Sequence, residues 1–201
     1  MYKRISALTL LLVLVGIVIA NIIQNKPSDP TAAEVEGETV LGDDGSAGQG
    51  AAIAPAESVG LEPGQPAPDF ELKTLGGENF QLSDLHGKKV ILNFWYSWCP
   101  PCIEEMPELQ EFYNDYQEEV EVVTVNLTKV ENNLSDVANF IDEHGYTFTV
   151  PLDEDERISE RYVVYAAPTT YFIGTDGTIQ HPRRIGPMDY EYMAKMIQDM
   201  N

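Results

Sequence analysis

Residues 63–201 predict an α/β domain, a mixed central sheet flanked by helices, with a β-hairpin at its start and a helical insertion in its middle. Three observations predict it. Strands first alternate with helices. One segment, Val90–Tyr96 (VILNFWY), is apolar almost without a break, the pattern of a strand buried on both faces. Last come an antiparallel hairpin signal and a terminal helix.

The elements follow in order. Alternation in Phe70-Glu71-Leu72 and Phe80-Gln81-Leu82, with Gly76-Gly77 between, predicts the opening hairpin. After Val90–Tyr96, apolar residues recur from Pro101 at positions 102, 106, 109, 112, 113 and 116, which is helical spacing. Val120–Leu127 (VEVVTVNL) is a second strand. A helix over Ser135–His144 has Ser135 as N-cap and Gly145 as its stop. A short strand over Phe148–Leu152 and a helix over Arg157–Tyr162 complete the insertion. Thr169–Ile173 and Thr178–Gln180 flank Gly174-Thr175-Asp176-Gly177 as the late hairpin, and Met188–Met200 closes the chain as a helix. Internal repeats are not evident.

What precedes the domain differs in composition. Ile5–Ile23 is apolar apart from Ser6, Thr9 and Asn21; as a helix it would be roughly 28 Å long, close to a bilayer core of about 30 Å. Lys3 and Arg4 precede it, which orients the remaining chain outward. Residues 1–26 therefore read as an uncleaved membrane anchor; a cleaved signal peptide ending at Val18-Ile19-Ala20 is the alternative. No cysteine follows the run, which excludes a lipoprotein-type anchor. Residues 27–62 carry eight acidic residues and no basic one, with many Gly, Ala, Ser and Pro, and read as a flexible, self-repelling linker. The domain holds 25 of the 33 Asp and Glu but only 9 of the 12 Lys and Arg, which makes nucleic acid and anionic lipid surfaces poor partners.

The chemistry concentrates in FWYSWCPPCIEEMP, residues 94–107, which contains both cysteines of the chain. Cys99 and Cys102 stand directly after a buried strand and at the start of a helix. There the helix macrodipole and its unpaired N–H groups stabilise a thiolate at Cys99. Pro100 and Pro101 suit a first turn that needs no N–H from them. This reading puts Cys99 at the exposed tip and Cys102 one turn in, facing the core. A structural staple is a poor account, because a three-residue step constrains the unfolded chain little. A metal site lacks ligands: no other cysteine exists, and His86, His144 and His181 lie in separate contexts. A redox dithiol is the reading that remains, with no metal and no cofactor.

Trp95-x-x-Trp98-Cys99-x-x-Cys102, with Pro107 five residues on, resembles thioredoxin. The opening Gly64-x-x-Ala67-Pro68-Asp69-Phe70, the NFW before the site and the CPPC resemble the TlpA/ResA-like branch, whose members are membrane-anchored thiol–disulfide oxidoreductases facing outward in bacteria. The same opening resembles peroxiredoxins, but their P-x-x-x-T-x-x-C signature meets Leu92 and Tyr96 here, which sets the peroxidase reading aside.

The resemblance implies a thioredoxin-like fold and a Cys99–Cys102 redox disulfide. It also implies that Ala167-Pro168 is the cis-proline loop beside the two sulfurs. A proline there leaves Ala167 free to pair backbone-to-backbone with an extended substrate. Trp98 and Pro100 join Ala167 and Pro168 as substrate-binding residues, with Trp98 shielding Cys99; Trp95 is core packing with an edge at the site, and Pro107 is structural. Thioredoxins place an aspartate where this chain has Asn93, which cannot titrate. Glu105, three residues after Cys102 on the same helix side and matching a glutamate of the ResA-like motif, takes that role. Its partial burial is expected to raise its pKa so that it exchanges a proton with Cys102. Glu104 is an exposed first-turn residue.

The implied partners are client protein disulfides, such as the CxxCH haem-attachment site of an apocytochrome c, and a membrane thiol-reductant carrier of the CcdA kind. The N-terminal helix adds the membrane itself, with the catalytic domain on its extracytoplasmic side. Other envelope or sporulation proteins as clients, or a copper-chaperone-like metal carrier, are the alternatives. Such carriers use a three-residue spacer and a distal histidine, neither of which is in evident register here.

Overall fold

The computed structural model describes residues 60–201; the predicted anchor and nearly all of the predicted linker lie outside the described residues. The first ties come from the end of the predicted linker. Gly60 N–H donates to Pro66 O (3.3 Å), and Leu61 packs against the core.

The opening hairpin forms as β1 (Glu71–Lys73) and β2 (Asn79–Gln81), antiparallel with Leu72 opposite Phe80. The central sheet is built from β3 (Lys89–Trp95), β4 (Val120–Asn126), β5 (Thr169–Ile173) and β6 (Arg184–Ile185), in the order β4-β3-β5-β6. β3 runs parallel to β4 and antiparallel to β5, so the sheet is mixed, as the element order predicts. Three helices of two turns or more, α1 (Pro100–Tyr116), α2 (Leu134–His144) and α4 (Tyr190–Gln198), flank it, together with the short α3 (Arg157–Arg161).

The continuous apolar run of β3 feeds two cores, because alternate side chains leave opposite faces of a strand. Ile91 and Trp95 pack with the buried faces of α1, α2 and α4. Val90, Leu92 and Phe94 pack on the other face with the hairpin, Ile158 of α3 and Tyr162. Each such side chain contributes about 1.5–3 kcal/mol on burial. Asn93 alternates with Ile91 and Trp95 and so faces the α1 side, at no cost in sheet hydrogen bonds.

Several elements differ from the sequence reading. α2 begins at Leu134 with Asn133 as its extended N-cap, and Ser135 falls inside the first turn. Phe148–Leu152 does not form a strand. Pro151 has no N–H to donate, so this segment makes only isolated bridges, Thr149 to Val123 and Leu152 to Asn126 on the sheet and Pro151 to Thr74 beside the hairpin. The late hairpin turns where predicted, with Gly177 at φ 77°, but Thr178–Gln180 keeps a single bridge to β5, Ile179 to Ile173, while Thr178 bridges Pro66. Pro182 interrupts the return, and pairing with β5 resumes as β6, which the sequence reading missed. α4 is shorter than Met188–Met200 because Asp189 caps it, its carboxylate accepting from Tyr192 N–H at 2.8 Å. Gly145 ends α2 in the left-handed region (φ 67°), as expected.

Candidate active site

β3 delivers its last residue, Trp95, to a tight turn, closed where Cys99 N–H donates to Tyr96 O (3.2 Å). Cys99 is the N-cap of α1: its backbone is extended (φ −86°, ψ 108°), and its Sγ accepts from Cys102 N–H at 3.3 Å. Pro100 and Pro101 occupy the first two helical positions, where a missing N–H costs nothing. Cys99 and Cys102 form a disulfide with their Cα atoms 5.2 Å apart, inside the range such bonds span without backbone adjustment. α1 continues through Pro107, which forfeits only the bond to the Ile103 carbonyl near the solvent-facing side.

Ala167-Pro168 is cis, and the loop lies against the disulfide, with Ala167 O 3.7 Å from Cys99 Sγ. Pro168 is buried and Ala167 half-buried. One expectation is corrected here. Cys99 is not an exposed tip: both cysteines are only 1% exposed. Joined to Cys102, the Cys99 sulfur turns toward the helix, and the Ala167 loop closes over its other side.

Glu105 is more deeply placed than the sequence reading expects, at 1% exposure rather than partial burial. Burial pushes its carboxyl up to about 8, against smaller opposing effects from the Asn93 amide, the Met188 N–H and the Arg184 guanidinium. The Asn93 side-chain amide donates to Glu105 Oε1 (3.4 Å) and to Thr170 Oγ1 (3.0 Å). Glu104, its neighbour, is exposed. A buried carboxyl near neutrality, one turn after a cysteine that faces the core, is equipped to take or give a proton there.

Trp98 is half exposed, its indole N–H donating to Val130 O (3.1 Å) and its ring 4.5 Å from that of Tyr96. Tyr96, Trp98, Val130 and Tyr165 border an open groove of about 260 Å³ that reaches Ala166 and Ala167. Pro100 is exposed at the helix start and does not line that groove. Trp95 is fully buried, its indole N–H bonded to Thr124 O (3.1 Å).

Sequence reasoning missed Glu131. Its carboxylate accepts from Ser97 N–H (2.6 Å), Ser97 Oγ (2.6 Å) and Asn126 Nδ2 (2.7 Å), tying the turn before Cys99 to the end of β4. Together with the Trp98–Val130 bond, it straps the two residues preceding Cys99 to the segment after β4. A lone acidic residue in an irregular loop carries no motif, so no sequence signal marks it.

Comparison with known proteins agrees with this geometry. The AhpC/TSA family model matches residues 63–182. The thioredoxin-like protein YneN of Bacillus subtilis is 44% identical over 124 residues, 62% of this chain and 72% of that protein. The thiol-disulfide oxidoreductase ResA of Oceanobacillus iheyensis is 46% identical over 122 residues, 58% of this chain and 62% of that one, so under two thirds of that relative is spanned. The crystal structure of StoA from Bacillus subtilis superposes with a TM-score of 0.59 at 37% identity, covering 67% of this chain and 99% of that one. The fold is thus thioredoxin-like.

Proposed function

Because the chain belongs to the AhpC/TSA family, and within it to the TlpA/ResA-like thiol–disulfide oxidoreductases, we propose that it reduces disulfides of client proteins outside the cytoplasmic membrane. The observation that carries the mechanism is the buried Glu105 carboxyl one helical turn beyond the inner cysteine of a helix-capping disulfide.

In the reducing direction the enzyme starts as a dithiol. The Cys99 thiolate attacks a client disulfide, forming a Cys99–client mixed disulfide and releasing one client thiolate. Cys102 then gives its proton to the Glu105 carboxylate, and its thiolate attacks the Cys99 sulfur. The Cys99–Cys102 disulfide forms, the second client thiolate leaves, and both thiolates are protonated from solvent. Two electrons pass from the dithiol to the client. Near pH 7 a group with its pKa close to the working pH is the efficient proton acceptor. The Ala167 backbone and the Trp98 groove receive the client chain.

The favoured client is the CxxCH haem-attachment site of an apocytochrome c, which accepts haem only when reduced. The N-terminal segment tethers the domain on the extracytoplasmic side, and a membrane thiol carrier of the CcdA kind returns the enzyme to the dithiol. This reading rests on the family relationship and on the apolar Ile5–Ile23 run. That side of a membrane is generally oxidising, so a reductant there has to be recharged.

Trapping tests it. Cys102→Ser keeps the attacking sulfur and removes the resolving one, so in cells it accumulates mixed disulfides through Cys99. Recovery of a c-type apocytochrome supports the client assignment. Recovery of other envelope or sporulation proteins alone overturns that assignment while leaving the oxidoreductase chemistry in place. Glu105→Gln is expected to slow exchange by about tenfold or more and to change the pH profile of thiol titration; an unchanged rate and profile removes Glu105 from the mechanism.

A further inference from the structure

Two buried side-chain oxygens have no hydrogen-bond partner among the described residues: Asn93 Oδ1 and Glu105 Oε2. They belong to side chains already joined by one bond, from Asn93 Nδ2 to Glu105 Oε1 at 3.4 Å. Both residues are at most 1% exposed, so neither oxygen is served by bulk water. Leaving one such atom unpaired costs about 1–3 kcal/mol.

The amide cannot resolve this alone. Its second N–H is committed to Thr170 Oγ1 at 3.0 Å, on the strand that pairs with β3 opposite Asn93. In this orientation both amide N–H groups are used and the amide oxygen meets no donor. An ionised carboxylate offers no help either, because two acceptors cannot bond each other. A proton on Glu105 Oε2 changes the inventory: the group becomes a donor, and the amide already bonded to its other oxygen carries an idle acceptor, Asn93 Oδ1.

We infer that Asn93 is a positioning residue for the Glu105 proton, its carboxamide and the neutral carboxyl forming a two-bond acid–amide pair, N–H to Oε1 and O–H to Asn93 Oδ1. The inference rests on the proposed proton role of Glu105 and says what holds that proton. When Cys102 transfers its proton to Glu105, the second bond of the pair forms; when the proton leaves, that bond is lost. Thr170 Oγ1 takes the other N–H of the amide. The other groups around the carboxyl are the Cys99–Cys102 disulfide at the start of its own helix, the Met188 backbone N–H before α4 and the Arg184 guanidinium from β6. The last two favour the ionised form. Desolvation and the amide oxygen of Asn93 favour the neutral one.

The test is a titration of the oxidised full-length chain by NMR, with the Glu side-chain carboxyl carbons and the Asn side-chain amides isotopically labelled. The expected result is that the Asn93 amide resonances move with the same midpoint as the Glu105 carboxyl. An Asn93 amide that stays still through the Glu105 titration overturns the pair. Asn93→Asp supplies the second reading. Two carboxyls in this position have to share one proton, so they titrate as a coupled pair, separated by about two pH units or more. Independent titration of the introduced carboxyl and Glu105 overturns the inference. Exchange kinetics of Glu105→Gln separate the two claims: an unchanged rate alongside the coupled titration refutes the proton role in exchange while the pair stands.

Discussion

Replacing Glu105 by Gln removes one buried ionisable group and changes little else. The Gln amide offers Asn93 an acceptor oxygen and an N–H donor, as the neutral acid offers an acceptor and an O–H, and adds one further N–H. The structure puts the folded carboxyl at about 8, against an ordinary value of 4.5 in the unfolded chain. Below 4.5 both states are protonated and the wild type loses nothing. Above it the unfolded chain releases the proton and the folded one does not, so unfolding is progressively favoured at about 1.4 kcal/mol per pH unit. The penalty is about 2 kcal/mol at pH 6 and about 4 kcal/mol at pH 8, and above that it levels near 5 kcal/mol as the folded group ionises too. Glu105→Gln is free of it. Urea unfolding of the oxidised proteins across about pH 4.5–8.5 measures the difference, which is expected to grow in favour of the variant through that window. Comparing the two proteins cancels every other titrating group they share. A difference that is flat with pH, or that shrinks as pH rises, refutes the argument that Glu105 is held neutral by burial.

Two further outcomes follow from the geometry beside the site. Glu131→Ala removes three short hydrogen bonds to Ser97 and Asn126 and is expected to cost about 1–3 kcal/mol. It should speed hydrogen exchange at Ser97 more than at the centre of β3, and equal protection at both places contradicts the strap. Val163 sits at φ 50°, a left-handed backbone that a β-branched residue occupies at a cost of about 1–2 kcal/mol, and its side chain is half exposed. Val163→Asn is therefore expected to raise stability by about 1 kcal/mol in chemical denaturation; a loss of stability would show that the Val163 side chain contributes packing its exposure hides.

What the sequence makes legible depends on how far the deciding contact lies along the chain. The buried strand, the helix after the cysteines and the Gly145 stop are written in neighbouring residues, and all three form. Glu105 is legible for the same reason, since its place relative to Cys102 follows from helical spacing alone. Its depth is not, because that depends on which elements cover α1. The burial of Cys99 fails to show for a similar reason: the carbonyl against its sulfur comes from Ala167, 68 residues away. Glu131 reaches Ser97 across 34 residues, and Asn93 reaches Thr170 across 77. The cis geometry at Pro168 enters only through family resemblance, since an X–Pro pair in isolation does not announce its isomer.

Asn93 shows how a residue can be legible in type and opaque in role. Read alone, it is a position where a titratable side chain is missing, and the proton chemistry passes to Glu105. Placed in the sheet, it lies against that carboxyl with one N–H committed to Glu105 and the other to Thr170. An aspartate there would compete with Glu105 for a single proton. An amide cannot compete, yet it can hold the protonated form through its oxygen. On the proposed mechanism, the non-titrating residue at position 93 lets one carboxyl, rather than a coupled pair, set the pH at which Cys102 is released to react.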